Sequence, residues 1–258
     1  MKNYQQKIKI SVAWFIIVFS MIQARSSDWN RLPLDRLTSA NGVAEAGQLL
    51  MQQPSGWTEI TGNDTQYDTL WIVIHGYGSR GYEWVDAITA FSATGKGVFF
   101  YRYDWSQCPA VIVPELASQV NELVAHFRPN LRQVLIFGHS YGALIAAELN
   151  PRLDPELPLQ VHAIAGPLAG MKGFQGQCPR DSAWIDLTSK TNTGNRLTQW
   201  RTVQSEDGAY RKAAVDPQVV DIPGSTVIQL PKTMDGHRLG HNWSVKWVAE
   251  TFLGLRDR

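Results

Sequence analysis

The stretch VLIFGHSYGA, residues 134–143, decides the fold. Its first four residues, Val134, Leu135, Ile136 and Phe137, are all apolar and show no alternation. Such a run suits a short strand covered on both faces. Gly138-His139-Ser140-Tyr141-Gly142 follows with no spacer, and residues 143–149 (ALIAAEL) then read as a helix that stops near Pro151. Strand, G-x-S-x-G and helix in direct succession is the context that sets a serine on a sharp turn above the end of a sheet. The flanking glycines remove side chains that would clash in that turn. The helix N-terminus behind it offers N–H groups and the positive end of a dipole to an oxyanion. Ser140 is therefore the candidate nucleophile.

Working outward, the pattern of short apolar runs and helical segments repeats along the chain. Residues 70–74 (LWIVI), 98–103, 161–165, 199–203 and 226–230 read as strands. Residues 40–53, 82–93, 114–128 and 242–253 read as helices, the last one amphipathic. Strands alternating with helices predict an α/β domain, with a mostly parallel sheet and helices on both faces. Functional groups then belong beyond the carboxyl ends of the strands. The 258 residues are 44% hydrophobic and 18% charged. That excludes a disordered polymer, a collagen-like repeat and a coiled coil, and fits one compact domain over 25–258. Lys and Arg number 24 against 23 Asp and Glu, so there is no basic excess to suggest a nucleic-acid partner. Ten tryptophans predict an aromatic core or pocket. The two cysteines, Cys108 and Cys178, are too few for a disulfide-rich scaffold or a zinc site, and the sequence leaves their pairing open.

The amino terminus reads as a separate piece. Lys2, Lys7 and Lys9 precede a largely apolar run over residues 10–22, then Ala24 and the polar Arg25-Ser26-Ser27-Asp28. This is the layout of a secretory signal peptide over residues 1–24, and the run is short for a membrane span, which needs about 20 apolar residues. The alternative is an uncleaved signal anchor that holds the protein at a membrane. Without those residues the charge balance is 21 basic against 23 acidic groups. An exported chain is one in which a disulfide persists.

A second motif supports the first. His75-Gly76-Tyr77-Gly78 closes the strand at 70–74. The backbone N–H groups of Tyr77 and Tyr141 are the candidate oxyanion hole of an acyl transfer. The side chains of His75 and His139 are read as structural, the first bracing its loop and the second adjoining the site.

LWIVIHGYGSRGYEW, the strand with YDW at 98–105, VLIFGHSYGA, and AIAGPLAG at 163–170 together resemble the α/β-hydrolase superfamily. Within it the sequence resembles lipase-like and GPI inositol-deacylase-like serine esterases, over most of residues 68–253. It departs at Ala143, where many relatives carry glycine, and at Gly166-Pro167-Leu168, where lipases carry a histidine-bearing segment. The resemblance implies a triad in the order Ser, Asp, His and no cofactor. The acid falls in the turn after residues 199–203, on Asp207, with Glu206 as its rival. The base is His241 or His237. His241 is preferred because it stands directly before the closing helix, in a Gly-His-Asn that resembles several serine hydrolases. His237-x-x-x-His241 has the spacing of a zinc pair, but Arg238 replaces the needed glutamate and Gly236 and Gly240 oppose a helix, so no metal is expected. Residues 167–198 form a lid-like insertion rich in Gly, Thr and Asn, in which Phe174, Trp184 and Ile185 are candidates to line an acyl pocket.

Three function classes follow. The first is a secreted serine hydrolase of carboxylic esters, acyl or lipid in type, in transient contact with a lipid surface. The second is an acyltransferase or amidase using the same residues. The third is a non-catalytic binding protein on this scaffold.

Overall fold

Eight strands form one sheet in the order β1-β2-β4-β3-β5-β6-β7-β8. They are β1 (Asn30–Pro33), β2 (Gly56–Thr61), β3 (Thr69–Ile74), β4 (Gly97–Arg102), β5 (Gln133–His139), β6 (Leu159–Ile164), β7 (Leu197–Arg201) and β8 (Thr226–Gln229). Every pairing is parallel except β2 with β4. Among the described residues, six α-helices accompany them: α1 (Leu34–Thr38), α2 (Val43–Met51), α3 (Tyr82–Ser92), α4 (Pro109–Phe127), α5 (Tyr141–Leu149) and α6 (Gly240–Phe252). This computed structural model describes residues 29–61, 67–154, 156–170, 178 and 196–256. The expected leader at 1–24, and Phe174, Trp184 and Ile185 in the insertion, lie outside the described residues.

The continuous apolar runs explain the layering. Leu70, Ile72 and Ile74 of β3 face one cluster, with Val134 and Ile136 of β5 and the inner faces of α4 and α5. Trp71 and Val73 face the other, with Leu135 and Phe137 and side chains of α2, α3 and α6. Because side chains alternate along a strand, a strand apolar at every position is one that has a helix layer on each side. Helix α5 is the extreme case, buried at all nine positions.

Register gathers the strand ends. Ile74 pairs with Tyr101 on one side and with Gly138 on the other, His139 with Ile164, and Ile164 with Trp200. The loops after β3, β5, β6 and β7 therefore leave the sheet at one edge.

Several boundaries move from the sequence reading. Helix α4 opens at Pro109 rather than at 114, because extended Cys108 caps it and proline at the first helical position loses no hydrogen bond; Pro114 lies inside. Strands β1 and β2 were not anticipated. Glu59 in β2 reads as a surface residue, yet it is buried, accepting hydrogen bonds from Trp29 Nε1 (3.0 Å), Arg31 Nε (3.1 Å) and the Tyr67 hydroxyl (2.9 Å). The question left open about the cysteines has an answer. Cys108 and Cys178 are joined in a disulfide, which ties the segment after β6 to the entrance of α4.

Candidate active site

Ser140 stands between β5 and α5 with φ 56° and ψ −121°, a left-handed conformation rare for a residue with a Cβ. Close packing holds it there. A Cβ on Gly142 would come within 2.4 Å of the carbonyl oxygens of Ile74 and His75, so the first turn of α5 presses directly on the end of β3. The Ser140 N–H donates to the Ile164 carbonyl at 2.9 Å, which fixes the turn to β6. Such stored strain is tolerated only where the surroundings over-determine it.

The loop after β3 lies against this turn. A Cβ on Gly76 would meet Ser140 Cβ at 2.9 Å, so Gly76 lets the backbone that leads to Tyr77 approach Ser140. His75 braces that loop, as expected. Its Nδ1–H donates to the Gly76 carbonyl (2.9 Å), its Nε2 accepts from the Tyr103 N–H (3.3 Å), and its ring stacks on Tyr103. Burial holds this imidazole down to about 4, so it is neutral. Tyr141 opens α5, and its hydroxyl donates to the Gln107 carbonyl at 2.7 Å.

The candidate acids and bases lie in different surroundings. Asp207 is fully buried just after β7. Its Oδ2 accepts from His241 Nδ1–H at 2.9 Å and from the Thr202 hydroxyl. Its Oδ1 accepts from the N–H groups of Ala209 (2.8 Å) and Tyr210 (3.2 Å). Burial opposes ionisation of this carboxyl, but the hydrogen bond and charge of His241, with the Thr202 and Ala209 donors, outweigh it and hold the group below the usual range. Among the described residues, the Glu206 carboxylate accepts from the neighbouring Ser205 hydroxyl alone, at 3.4 Å. His237 is exposed in a small hairpin, β9 (Thr233–Met234) with β10 (His237–Arg238), beside Trp243. Asp235 and Gly236, both with positive φ, form the hairpin turn, and Asp235 pairs with Arg256. His139 is buried against His241, its Nε2–H donating to the His241 carbonyl at 3.1 Å. Burial and the nearby His241 charge push it down to about 3.

A cleft of about 180 Å³ opens beside Ser140 and His241, walled by residues 76–80 with Tyr82, Glu83, His139 and Asn242. Among the described residues, neither ring nitrogen of His241 bonds the Ser140 hydroxyl in this conformation. That hydroxyl lies against the phenol of Tyr210 instead. Tyr210 is the residue the sequence reading missed. It is buried, and its hydroxyl donates to the Ala165 carbonyl at 2.7 Å. Its ring meets His241 edge-on, and its N–H holds Asp207. Ala165 itself has φ 48°. Only its place three residues after Asp207 could have pointed to it.

No group of three or more His, Cys, Asp or Glu side chains suited to a metal occurs among the described residues. No helix among them is long and apolar enough to cross a membrane.

No curated protein matches this sequence. Among solved structures, the chain resembles LpqC, a poly(3-hydroxybutyrate) depolymerase from Bordetella parapertussis. Identity is 13%, covering 85% of this chain and 96% of that one, with a TM-score of 0.52. It also resembles poly(aspartic acid) hydrolase-1 from Sphingomonas sp. KT-1, at 14% identity over 76% of this chain and 92% of that one, with a TM-score of 0.50. At those identities the likeness is one of fold. Residues 71–244, from the second residue of LWIVI through the start of the closing helix, match the model of the alpha/beta hydrolase family. With two thirds of its length matched and the parallel sheet, elbow and helix layers in place, the chain belongs to the alpha/beta hydrolase family.

Proposed function

We propose that this alpha/beta hydrolase is a serine hydrolase of carboxylic esters that works through an acyl-enzyme. The observation that carries the reading is the buried Asp207 carboxylate bonded to Nδ1 of His241, in the cleft where Ser140 sits on its strained turn. That bond fixes the tautomer, leaving Nε2 as the basic nitrogen.

In this reading Ser140 Oγ turns towards Nε2. Nε2 takes the hydroxyl proton as Oγ attacks the ester carbonyl. The backbone N–H groups of Tyr77 and Tyr141 receive the oxyanion, each contributing about 3–4 kcal/mol. The imidazolium, stabilised by Asp207, then returns the proton to the leaving alkoxide, so the alcohol departs and the acyl group stays on Ser140. Water repeats the sequence and releases the acid.

The family match does not reach the lipase-like or GPI inositol-deacylase-like subdivision. Export of the chain after removal of residues 1–24 is part of the proposal, and the Cys108–Cys178 disulfide favours it, since such bonds persist in oxidising compartments.

A fluorophosphonate probe tests the catalytic core. Wild-type protein is expected to be labelled at Ser140, and Ser140→Ala to lose both the label and at least ~10³-fold of ester hydrolysis while keeping its fold. An unlabelled, inert wild type sinks the reading and favours a binding protein. Product analysis with alcohol or amine acceptors separates hydrolase from acyltransferase.

A further inference from the structure

The loop between β4 and α4, residues 103–108, touches both segments from which the oxyanion donors of the proposed mechanism come. Towards the loop after β3, the Tyr103 hydroxyl donates to the His75 carbonyl at 2.8 Å, and the Tyr103 N–H to His75 Nε2. The Trp105 ring packs edge-on against Tyr77, ring centres 4.4 Å apart. Towards α5, the Gln107 carbonyl accepts from the hydroxyl of buried Tyr141 at 2.7 Å.

The loop is itself held. Asp104 Oδ1 accepts from the N–H and the hydroxyl of Ser106, at 3.0 and 2.7 Å. The Asp104 carbonyl accepts from the Gln107 N–H at 3.1 Å. An aspartate that bonds the backbone two residues on closes a tight turn, so residues 104–107 move as one unit. At the next position the chain is fixed twice. Cys108 is bonded to buried Cys178, and its carbonyl accepts from the N–H groups of Val111 and Ile112 as α4 begins. A shift of Cys108 is therefore passed to the adjacent Gln107 carbonyl and on to the phenol of Tyr141. That phenol belongs to the first residue of α5, whose N–H is one of the two proposed donors. An oxyanion donor works within about 2.7–3.1 Å of the developing charge, and a misplacement of about 1 Å can cost about 10²-fold in rate.

We propose that the Tyr141 side chain and Trp105 are positioning groups, through which the loop at 103–108 aligns the two oxyanion donors, and that the Cys108–Cys178 bond anchors this loop. The disulfide then supports turnover as well as stability. The effect on rate rests on the serine-hydrolase reading, whereas the mechanical link from the disulfide to α5 does not.

The test uses the full chain and four variants: Tyr141→Phe, Trp105→Ala, Cys108→Ser with Cys178→Ser, and that pair combined with Tyr141→Phe. Each is assayed well below its Tm on an acyl ester and on the matching thionoester, in which sulfur replaces the carbonyl oxygen. Sulfur accepts hydrogen bonds weakly, so an aligned oxyanion hole favours the ester and a misaligned one loses that preference. Tyr141→Phe, Trp105→Ala and the cysteine pair are each expected to lower kcat on the ester about tenfold with KM nearly unchanged. The ester-to-thionoester ratio falls with it, and the pH profile, set by His241, stays in place. The combined variant is expected to lose little more than the cysteine pair alone, not the roughly hundredfold of two independent sites. A ratio that stays at the wild-type value, or a hundredfold loss in the combined variant, overturns the proposal. Should the cysteine pair fail to fold, Tyr141→Phe and Trp105→Ala, which keep the disulfide, decide by the same ratio. Hydrogen exchange of the amides at residues 140–145 is read independently of turnover. Faster exchange confined to that segment in Tyr141→Phe and in the cysteine pair supports the link even if fluorophosphonate fails to label wild-type Ser140. Exchange that rises equally throughout the protein, or not at all, refutes it.

Discussion

Glu148→Gln offers a quantitative test of how the helix behind Ser140 is built. Glu148 lies in α5, fully buried, and neither carboxyl oxygen has a hydrogen-bond partner among the described residues. Burial, only partly offset by the charge of Arg152, pushes its pKa from 4.5 up to about 8. Between those values the unfolded carboxyl ionises while the folded one keeps its proton. The folded state then binds one more proton, so stability falls as pH rises, and the loss is complete above pH 8. At about 1.36 kcal/mol per pH unit, the loss is roughly 3 kcal/mol at pH 7 and roughly 5 kcal/mol at its limit. Glutamine has nearly the same shape and cannot ionise. Near pH 4.5 the variant differs only by its buried amide, a cost of about 1–3 kcal/mol. From pH 5 to 7.5 its stability relative to wild type is expected to rise by roughly 3 kcal/mol, or roughly 6–12 °C in Tm at about 2–4 °C per kcal/mol. Urea denaturation of both proteins at several pH values, disulfide intact, reads this directly. Parallel stability curves would refute the reasoning, because they would mean that the carboxyl ionises freely inside the fold.

The remaining predictions concern the site and its ties. His241→Ala is expected to be nearly as damaging to ester hydrolysis as loss of Ser140, whereas exposed His237→Ala costs less than about tenfold; the reverse order in steady-state kinetics would reassign the base. Asp207→Asn should lose on the order of 10³–10⁴ in kcat, and Glu206→Gln, which touches only Ser205, should stay near wild type. Tyr210→Phe leaves the Ala165 carbonyl without its donor and is expected to cost about 1–3 kcal/mol in denaturant unfolding, together with a lower kcat; unchanged stability would show that the hydroxyl holds nothing. Opening the Cys108–Cys178 bond, which closes a loop of 70 residues, should destabilise the protein by about 2–4 kcal/mol, measured as the Tm of the double serine variant.

The centre of the sheet was legible because residues 70–74 and 134–137 are apolar at every position, a pattern that two covering layers satisfy. The elbow was legible because G-x-S-x-G fell between a strand and a helix. Strand β2 was hidden by Glu59, whose burial depends on Trp29, Arg31 and Tyr67, residues whose proximity local pattern does not reveal. That His241 meets Asp207, while His237 and Glu206 stand apart from that pair, depends on which residues the β7 and α6 ends bring together, a matter of register and not of residue type. Tyr210 was invisible for a related reason. Its contacts run to Ala165, Ser140 and His241, three separate loops that meet only once the sheet is assembled.

The parts of the site are strung along the chain in an order that has a consequence for synthesis. Ser140 and its turn belong to the middle of the sheet, while Asp207 follows β7 and His241 waits for α6. A growing chain that has already formed the elbow still lacks the imidazole that would activate it. Until residue 241 has emerged and α6 has docked on α3, the hydroxyl on the turn is an ordinary alcohol. Under the proposed mechanism, the residue that activates Ser140 is the last of the three to leave the ribosome.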